Sequence, residues 1–328
     1  MRILSAPDVR SALPMSDAID AMREAFAAVS GGDADVPLRT HIDLPGDRGA
    51  TLTMSAVTRS PVRLGTKLLT LFPGNPGRNL PFIQGLIVMF DEATGRPSGL
   101  LEGMTLTALR TGAASGLATD LLARPDGSSV AIIGSGTQAR TQLEAVCCVR
   151  PIEHVAVYSR TPAHAAAFAE EMNRRLDLPS PIRVVETAAE AADGADIICT
   201  ATNASAPVLA SADVAAGAHV NAVGSYTPEM RELDMELLSR ARIVVDQRSA
   251  ALAEAGELIA AIDAGAVSED GLIELGEIVS GVHAGSVRDN GGGVTVFKSV
   301  GLAVQDLCAA ARALERAAEE NIGLSIEM

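Results

Sequence analysis

Aromatic residues are scarce in this 328-residue chain, which has no tryptophan, two tyrosines and six phenylalanines. So few rings leave little surface on which nucleic-acid bases could stack. The formal net charge of −15 also argues against binding to a phosphate backbone, which requires a basic surface. We therefore predict that nucleic acid is not a partner of this protein.

Cysteine is rare as well, and the spacing of Cys147, Cys148, Cys199 and Cys308 fits no zinc site, so we expect buried thiols and no metal. Apolar stretches of membrane-spanning length are absent. The first residues reach proline and aspartate before the apolar core of a signal peptide could form. We therefore expect a cytoplasmic protein that does not bind membranes.

The most informative segment that is present contains an apolar run leading into Gly134, Gly136 and Ala139. This pattern is typical of the turn between a strand and a helix that binds a dinucleotide. The first glycine permits a tight turn, the second permits close approach of the pyrophosphate, and the alanine lets the helix lie close to the strand. The positive end of the helix then faces the phosphates. We predict cofactor contacts at Gly134, Gly136, Thr137, Gln138 and Ala139.

The end of the next predicted strand, Tyr158-Ser159-Arg160-Thr161, indicates which dinucleotide binds. A fold that prefers NAD usually carries an acid here, whereas an arginine accommodates a 2′-phosphate. This segment has no acid, and guanidinium and hydroxyl groups suit a phosphate dianion. We therefore predict NADP(H), bound by Ser159, Arg160 and Thr161. The alternative is that Arg160 is an ordinary solvated arginine at the start of a helix.

Strands and helices alternate over residues 119–299, and this order predicts an α/β domain of the Rossmann type, with a doubly wound parallel sheet. Its predicted strands are Val130–Ile133, Val155–Tyr158, Ile182–Val185, Asp196–Thr200, His219–Val223 and Ile243–Val245. Further predicted cofactor contacts are Thr200, Ala201, Thr202, Val223, Gly224 and Lys298.

The segment before this domain has short strand patterns at Thr51–Met54, Gly65–Phe72 and Gly85–Phe90, separated by Pro-Gly pairs that predict antiparallel pairing. A hairpin turn at residues 91–95 and a helix over Met104–Ala123 follow. A last helix is predicted from Val294 or Phe297 to Ala318, after a flexible Asn290–Gly293. We expect this helix to return to the first domain, so that residues 1–118 and 300–328 form a second, α+β domain.

Three cations in the first domain, Arg39, Lys67 and Arg110, stand among apolar or small residues. Burial of such groups is unfavourable unless an anion pairs with them. A bound carboxylate would supply that anion, and each hydrogen bond to a charged group contributes roughly 1.5–3 kcal/mol. Taken singly, each side chain could equally extend to solvent. The group together predicts a carboxylate-binding site.

The chain also resembles the ornithine cyclodeaminase/mu-crystallin family over essentially its whole length. The segments that carry the resemblance are Gly65-Thr-Lys67, the Gly-Leu-Ile-Val run after Pro81, Thr105–Ala114, Ile133–Arg140 and Val296–Asp306. By this resemblance, the domain formed by both chain ends binds the substrate and dimerises, and the active site faces the nicotinamide between the domains. It also implies that Arg39, Lys67 and Arg110 bind the substrate carboxylate, and that the protein is a homodimer.

Members of the family catalyse cyclodeamination, alanine dehydrogenation or reduction of cyclic ketimines. Cyclodeaminases carry an aspartate where this chain has Tyr226, and a glutamate in the region of Thr51–Met54, where this chain has no acid. Oxidation of an amino acid requires a base that is ionised at neutral pH, and a tyrosine with a pKa of about 10 is not one. The resemblance therefore favours a reductase whose site lacks an ionised proton acceptor. Tyr226 is predicted either to donate a proton or hydrogen bond, or to close the pocket with its ring.

The sequence thus predicts an NADPH-dependent reductase of a small cyclic imino acid, Δ1-pyrroline-2-carboxylate or Δ1-piperideine-2-carboxylate, that forms proline or pipecolate. An ornithine or lysine cyclodeaminase with another base, or an alanine-type dehydrogenase, is the first alternative. A non-catalytic protein that binds NADPH and a small ligand is the second, and the retained Lys67 and Arg110 argue against it.

Overall fold

The computed structural model of the chain describes residues 1–46, 48–283 and 293–327. Within these ranges the strands β1 to β16 are Arg2–Leu4, Ala34–Asp35, Thr40–Asp43, Ala50–Arg59, Val62–Leu71, Ile83–Phe90, Pro97–Glu102, Ser129–Ile133, His154–Tyr158, Arg183–Val184, Ile197–Thr200, His219–Ala222, Arg242–Val245, Ile273–Glu274, Thr295–Lys298 and Leu324–Ser325. In the same ranges the helices α1 to α11 are Ala6–Ala12, Met15–Ser30, Gly103–Leu122, Thr137–Val149, Pro162–Arg175, Ala188–Ala192, Met235–Arg240, Arg248–Glu254, Gly256–Asp263, Leu275–Val279 and Ala303–Glu319.

The chain divides into two units, one formed by residues 1–110 and 302–328 and the other by residues 111–301. The first division falls inside helix α3, and the second falls between β15 and α11.

The first unit contains a sheet in the order β16-β1-β7-β6-β5-β4-β2, with β3 also paired to β4. Its central strands β4 to β7 are antiparallel, as predicted, whereas β1 pairs with β7 in parallel. Along β4, buried and more exposed residues alternate, because successive side chains of a strand point to opposite faces. Helix α11 packs on the buried face, where a Cβ at Gly65 would lie 3.1 Å from the Leu307 side chain.

The second unit contains a parallel sheet in the order β10-β9-β8-β11-β12-β15-β13-β14. The chain moves outward from β8 through β9 to β10 and then returns to the other side of β8 at β11. Because parallel crossovers are right-handed, this reversal places helices on both faces of the sheet. One face buries Phe168, Met172 and Leu143 against the apolar side chains of β8 and β9. The predicted Rossmann-type sheet and its predicted strands are confirmed.

Two local predictions are wrong. The segment Thr295–Lys298 is strand β15, which lies between β12 and β13, and helix α11 begins only at Ala303. The run Val294–Lys298 is fully buried on both sides, and a short apolar run of this kind does not distinguish a strand from a helix by periodicity.

The expectation that the thiols are buried is also wrong for two of the four, because Cys148 is exposed and Cys147 is half-buried on α4.

The hairpin turn at residues 91–95 and helix α3 are confirmed, and helix α11 falls in the same unit as residues 1–110. The predicted flexible segment Asn290–Gly293 lies outside the described residues except for its last glycine. None of the helices in the described part of the chain has the length and hydropathy of a membrane span. Histidine, cysteine and acidic residues within these ranges form no group able to hold a metal ion.

Candidate active site

Lys67 lies in the middle of the sheet of the first unit. Its strand, β5, is paired on both sides, with Lys67 opposite Met54 of β4 and Ile87 of β6. The residue points to the face covered by α11 and is only 2% exposed. Its ammonium Nζ donates a hydrogen bond of 2.5 Å to Oδ2 of Asp306 on that helix.

Arg110 reaches the same carboxylate from helix α3. Its Nε donates to Oδ1 of Asp306 at 3.1 Å, and its terminal nitrogen Nη1 donates to Oε1 of Gln305 at 2.8 Å. The Gln305 carbonyl also accepts from the backbone N–H of Leu302, at 3.0 Å. The amide nitrogen Nε2 of Gln305 is buried and has no acceptor among the described residues.

The cluster of Lys67, Arg110 and Asp306 has two positive charges and one negative charge, so it remains positive overall. Burial lowers the pKa of Lys67 to about 8; the positive charges of Arg110 and Arg39 act in the same direction, and Asp306 opposes them. Burial would raise the pKa of Asp306, but the neighbouring Lys67 and Arg110 outweigh it and hold this pKa below its ordinary value. Arg39, which is half-buried before β3, thus adds its charge to the same region.

The structure adds an ionised carboxylate to which the sequence did not point, because Asp306 lies between two of the predicted cations. The aspartate is distant from them in sequence, 239 residues from Lys67. The sequence carried one signal: Gln305 and Asp306 are the polar residues in an otherwise apolar or small-residue run from Val300 to Ala311, and the structure buries them at the start of α11. Buried polar residues of this kind require partners, and buried cations are the partners that a carboxylate needs.

The glycine-rich turn of the second unit has the backbone conformation that its sequence predicts. Gly134 has φ +111°, and a Cβ there would lie 2.4 Å from the carbonyl oxygen of Ala201, so only glycine fits. Gly136 is the N-cap of α4, and Ala139, in the first turn of this helix, is fully buried.

Two features of this turn fit a bound ligand. A Cβ at Gly136 would meet no atom within 4 Å, so the space above the start of α4 is open. Oε1 of Gln138, in the first turn with Thr137, is buried and accepts no hydrogen bond from the described residues. Open space, backbone N–H groups and the positive helix end together suit a pyrophosphate.

The predicted 2′-phosphate residues follow β9, the strand beside the glycine-rich turn. The Ser135 hydroxyl of the turn donates to the Ser159 hydroxyl at 2.9 Å. Arg160 is exposed and forms no hydrogen bond or ion pair with the described residues. Thr161 is the N-cap of α5, and its side chain does not cap the helix.

Three of the remaining predicted cofactor residues meet around a carboxylate to which the sequence did not point. Glu232 is fully buried and accepts hydrogen bonds from the hydroxyl of Thr200, the N–H and hydroxyl of Thr202, and the N–H of Gly224. Burial raises the pKa of Glu232, although Lys298 and the hydrogen bonds from Thr202 oppose this shift. These polar groups of the three predicted residues therefore bond within the protein.

Lys298 at the end of β15 is likewise fully buried. Its Nζ donates to the carbonyl oxygen of Ser225 at 2.5 Å and lies 3.2 Å from Oε1 of Glu257. The predicted contacts Ala201 and Val223 bond through their backbones, to Ile133 and Thr200 respectively. Tyr226 is half-buried in the loop after β12, also in the second unit.

Removal of the Asp306 charge should destabilise the first unit. We expect Asp306→Asn to lower the free energy of unfolding at neutral pH by about 3–5 kcal/mol, because two buried cations would lose their counter-charge. Urea-induced unfolding measures this change. The control is Asp35→Asn, which removes one partner of an exposed pair with Arg59 and should change stability by about 0.5 kcal/mol or less. Equally small changes in both variants would contradict the structural role of Asp306.

Comparison with known proteins identifies relatives over the full length of the chain. A Δ1-pyrroline-2-carboxylate reductase of Bacillus cereus (strain ATCC 10987) is 40% identical over 328 residues, which cover 100% of both chains. The structure of Thermococcus litoralis Δ1-pyrroline-2-carboxylate reductase in complex with NADH and L-proline superposes with a TM-score of 0.94, at 41% identity over 99% of this chain and 100% of that one.

An archaeal alanine dehydrogenase dimer with bound NAD superposes with a TM-score of 0.91, at 32% identity over 100% of this chain and 99% of that one. The family model for the ornithine cyclodeaminase/mu-crystallin family matches residues 1–321. A match of this extent confirms the resemblance seen in the sequence, and the chain belongs to the ornithine cyclodeaminase/mu-crystallin family.

Proposed function

We propose that this protein reduces a small cyclic ketimine, Δ1-pyrroline-2-carboxylate or Δ1-piperideine-2-carboxylate, to proline or pipecolate with NADPH. One observation carries the proposal: the buried cluster of Lys67, Arg110 and Asp306 keeps a net positive charge in a chain that is 40% identical to a Δ1-pyrroline-2-carboxylate reductase over its whole length.

The substrate carboxylate would pair with the positive charge that Asp306 leaves uncompensated. Lys67 has further N–H groups besides the one it donates to Asp306, and Arg110 has donors besides those it gives to Asp306 and Gln305. Arg39 contributes a third positive charge to this region. Asp306 thus has a positioning role, because it fixes both cations before the substrate arrives.

Reduction suits these side chains better than oxidation does. Both oxygens of Asp306 accept hydrogen bonds from cations, and its pKa is held low by them, so it is a poor proton acceptor. Tyr226 occupies the place of the cyclodeaminase aspartate, and β4 carries no acid between Thr51 and Met54. Reduction adds a hydride to the carbon of the protonated C=N group and requires no base.

The dinucleotide would bind at the glycine-rich turn of the second unit, where Gly136 leaves open space and Gln138 has a free acceptor among the described groups. A bound reduced nicotinamide supplies the hydride. The protein binds the pyrophosphate through Gly134, Gly136 and the first turn of α4, and Ala139 lets this helix approach the sheet.

Arg160 carries the preference for NADPH in this proposal, because it is exposed at the end of β9 and available for a 2′-phosphate. We expect Arg160→Ala to weaken NADPH binding by roughly tenfold to a hundredfold, the effect of one lost charge-assisted contact, and to leave NADH binding unchanged. Fluorescence titration of each reduced cofactor measures the two affinities. Arg174→Ala, which removes an exposed cation of α5, is the control. A wild-type preference for NADH would refute the assignment of Arg160.

The main test of the activity is a matrix of NADPH and NADH against cyclic imines, pyruvate with ammonia, and ornithine or lysine. We expect imine-dependent oxidation of NADPH. Reductive amination of pyruvate would instead indicate an alanine-type dehydrogenase, the activity named for the archaeal relative. Release of ammonia from ornithine without net consumption of cofactor would indicate a cyclodeaminase. Cofactor binding without any turnover would support a non-catalytic binding protein.

Lys67 should also determine how imine reduction depends on pH. Above pH about 8 the ammonium loses its proton, so we expect kcat/KM to fall as the pH rises through this value. Lys67→Ala should reduce kcat/KM at neutral pH at least about tenfold, because a contact with the carboxylate is lost. Lys67→Arg keeps the charge over this pH range and should remove this alkaline decline. Arg59→Ala, on the exposed end of β4, is the control, and an unchanged decline in Lys67→Arg would contradict the role of Lys67.

We also propose that the protein is a homodimer, formed through the face of the first unit's sheet that α11 does not cover. This face exposes Ile42, Val57, Leu68 and Leu86 by 40% to 58%. Apolar side chains on adjacent strands form a patch of the kind found at interfaces between identical subunits. Light scattering should give twice the chain mass of 33.7 kDa, and Leu68→Glu should reduce it toward that mass. A wild-type mass of one chain would refute the dimer.

A further inference from the structure

Glu232 connects the ends of two neighbouring strands in the second unit. It accepts from the Thr200 hydroxyl at 2.9 Å, and Thr200 is the last residue of β11. It also accepts from the backbone N–H of Thr202 and of Gly224, each at 2.7 Å. These two N–H groups hold equivalent positions, because each lies two residues beyond the end of its strand, β11 or β12.

The loop after β11 and the loop after β12 pack directly against each other at Gly224. A Cβ at Gly224 would lie 2.2 Å from the carbonyl oxygen of Thr202 and 2.4 Å from Oε1 of Glu232. The Glu232 carboxylate therefore fixes both the separation and the orientation of the two backbones.

A third strand end joins the same network through Lys298 of β15. Lys298 bonds to the backbone of Ser225, the residue after Gly224, and pairs with Glu257, to which the Ser225 hydroxyl also donates. The three ionisable residues of this network are at most 2% exposed: Glu232, Glu257 and Lys298. A ligand that binds at the surface of the sheet would therefore not replace the hydrogen bonds and ion pairs between them and the strand ends.

The position of this network within the sheet indicates which part of a dinucleotide lies near it. In a doubly wound sheet, ligands bind outside the carboxyl ends of the strands, and the two nucleotide halves lie on opposite sides of the point where the strand order reverses. Here the reversal lies between β8 and β11. The adenosine half of the dinucleotide is therefore expected near the carboxyl ends of β8 and β9, and the nicotinamide half near the carboxyl ends of β11 and β12.

We propose that Glu232 is a positioning residue for the nicotinamide half of the cofactor, acting through the backbone of Thr202 and Gly224. The inference rests on the proposed function only in taking the ligand to be a nicotinamide dinucleotide. A glutamine at this position offers one carbonyl oxygen and one NH2 group. Its NH2 group would face a backbone N–H of one of the two loops, so that loop must move.

The test compares a whole cofactor with its adenosine half in the full-length protein. We expect Glu232→Gln to weaken binding of NADPH and NADH by about tenfold or more, which corresponds to about 1.4 kcal/mol. Binding of the fragments 2′,5′-ADP and ADP should change by less than about twofold, because β8, β9 and the glycine-rich turn are untouched. Calorimetry measures all four affinities. Glu229→Gln makes the same substitution at an exposed residue three positions earlier and should change none of them.

Thr200→Val is a second, milder variant that remains informative if Glu232→Gln does not fold. Thr200 is fully buried, so loss of its hydroxyl reaches the ligand only through Glu232. We expect whole-cofactor binding to weaken about threefold, with fragment binding unchanged.

Whole-cofactor binding equal to that of the wild type in both variants would overturn the inference, as would an equal loss of fragment and whole cofactor. If the wild-type protein binds no dinucleotide, the inference and the cofactor assignment fail together. If it binds the cofactor but reduces no imine, only the proposed activity fails.

Discussion

The carboxylate of Asp306 is the interaction on which the first unit depends, because it allows two cations to occupy the interior between a sheet and a helix. Lys67 and Arg110 are almost fully buried, and without a counter-charge their desolvation would be prohibitive. One carboxylate does not neutralise two cations, however. The remaining positive charge is the feature on which the proposed binding of a substrate carboxylate rests.

The second unit also buries ionisable side chains against one another. There one buried cation, Lys298, pairs with Glu257 and opposes the rise that burial causes in the pKa of Glu232. Its polar groups bond to the backbone at the ends of strands rather than to a ligand. Buried ionisable groups thus fix a helix on a sheet in one unit and hold the backbone at the ends of strands in the other.

Local patterns were sufficient to predict much of this molecule. The glycine-rich turn, the alternating strands and the antiparallel segment depend on residues close in sequence, and they appear where the sequence placed them. The cations Lys67 and Arg110 could be recognised because charge among apolar residues is unusual. Their partner could not, since Asp306 meets them only through the packing of α11, and a single acid at the start of a helix is normally solvated. In Thr295–Lys298, burial on both faces removes the periodicity that distinguishes a strand from a helix, so the sequence alone does not identify this strand.

The discontinuity of the first unit has a consequence for synthesis on the ribosome. Residues 111–301 are continuous, so the second unit can assemble as soon as its own last strand has emerged. Lys67 and Arg110 must wait for α11, which is translated nearly two hundred residues after Arg110. During that interval the nascent sheet lacks both its covering helix and the carboxylate that its cations require, so the growing polypeptide can complete its second unit before its first.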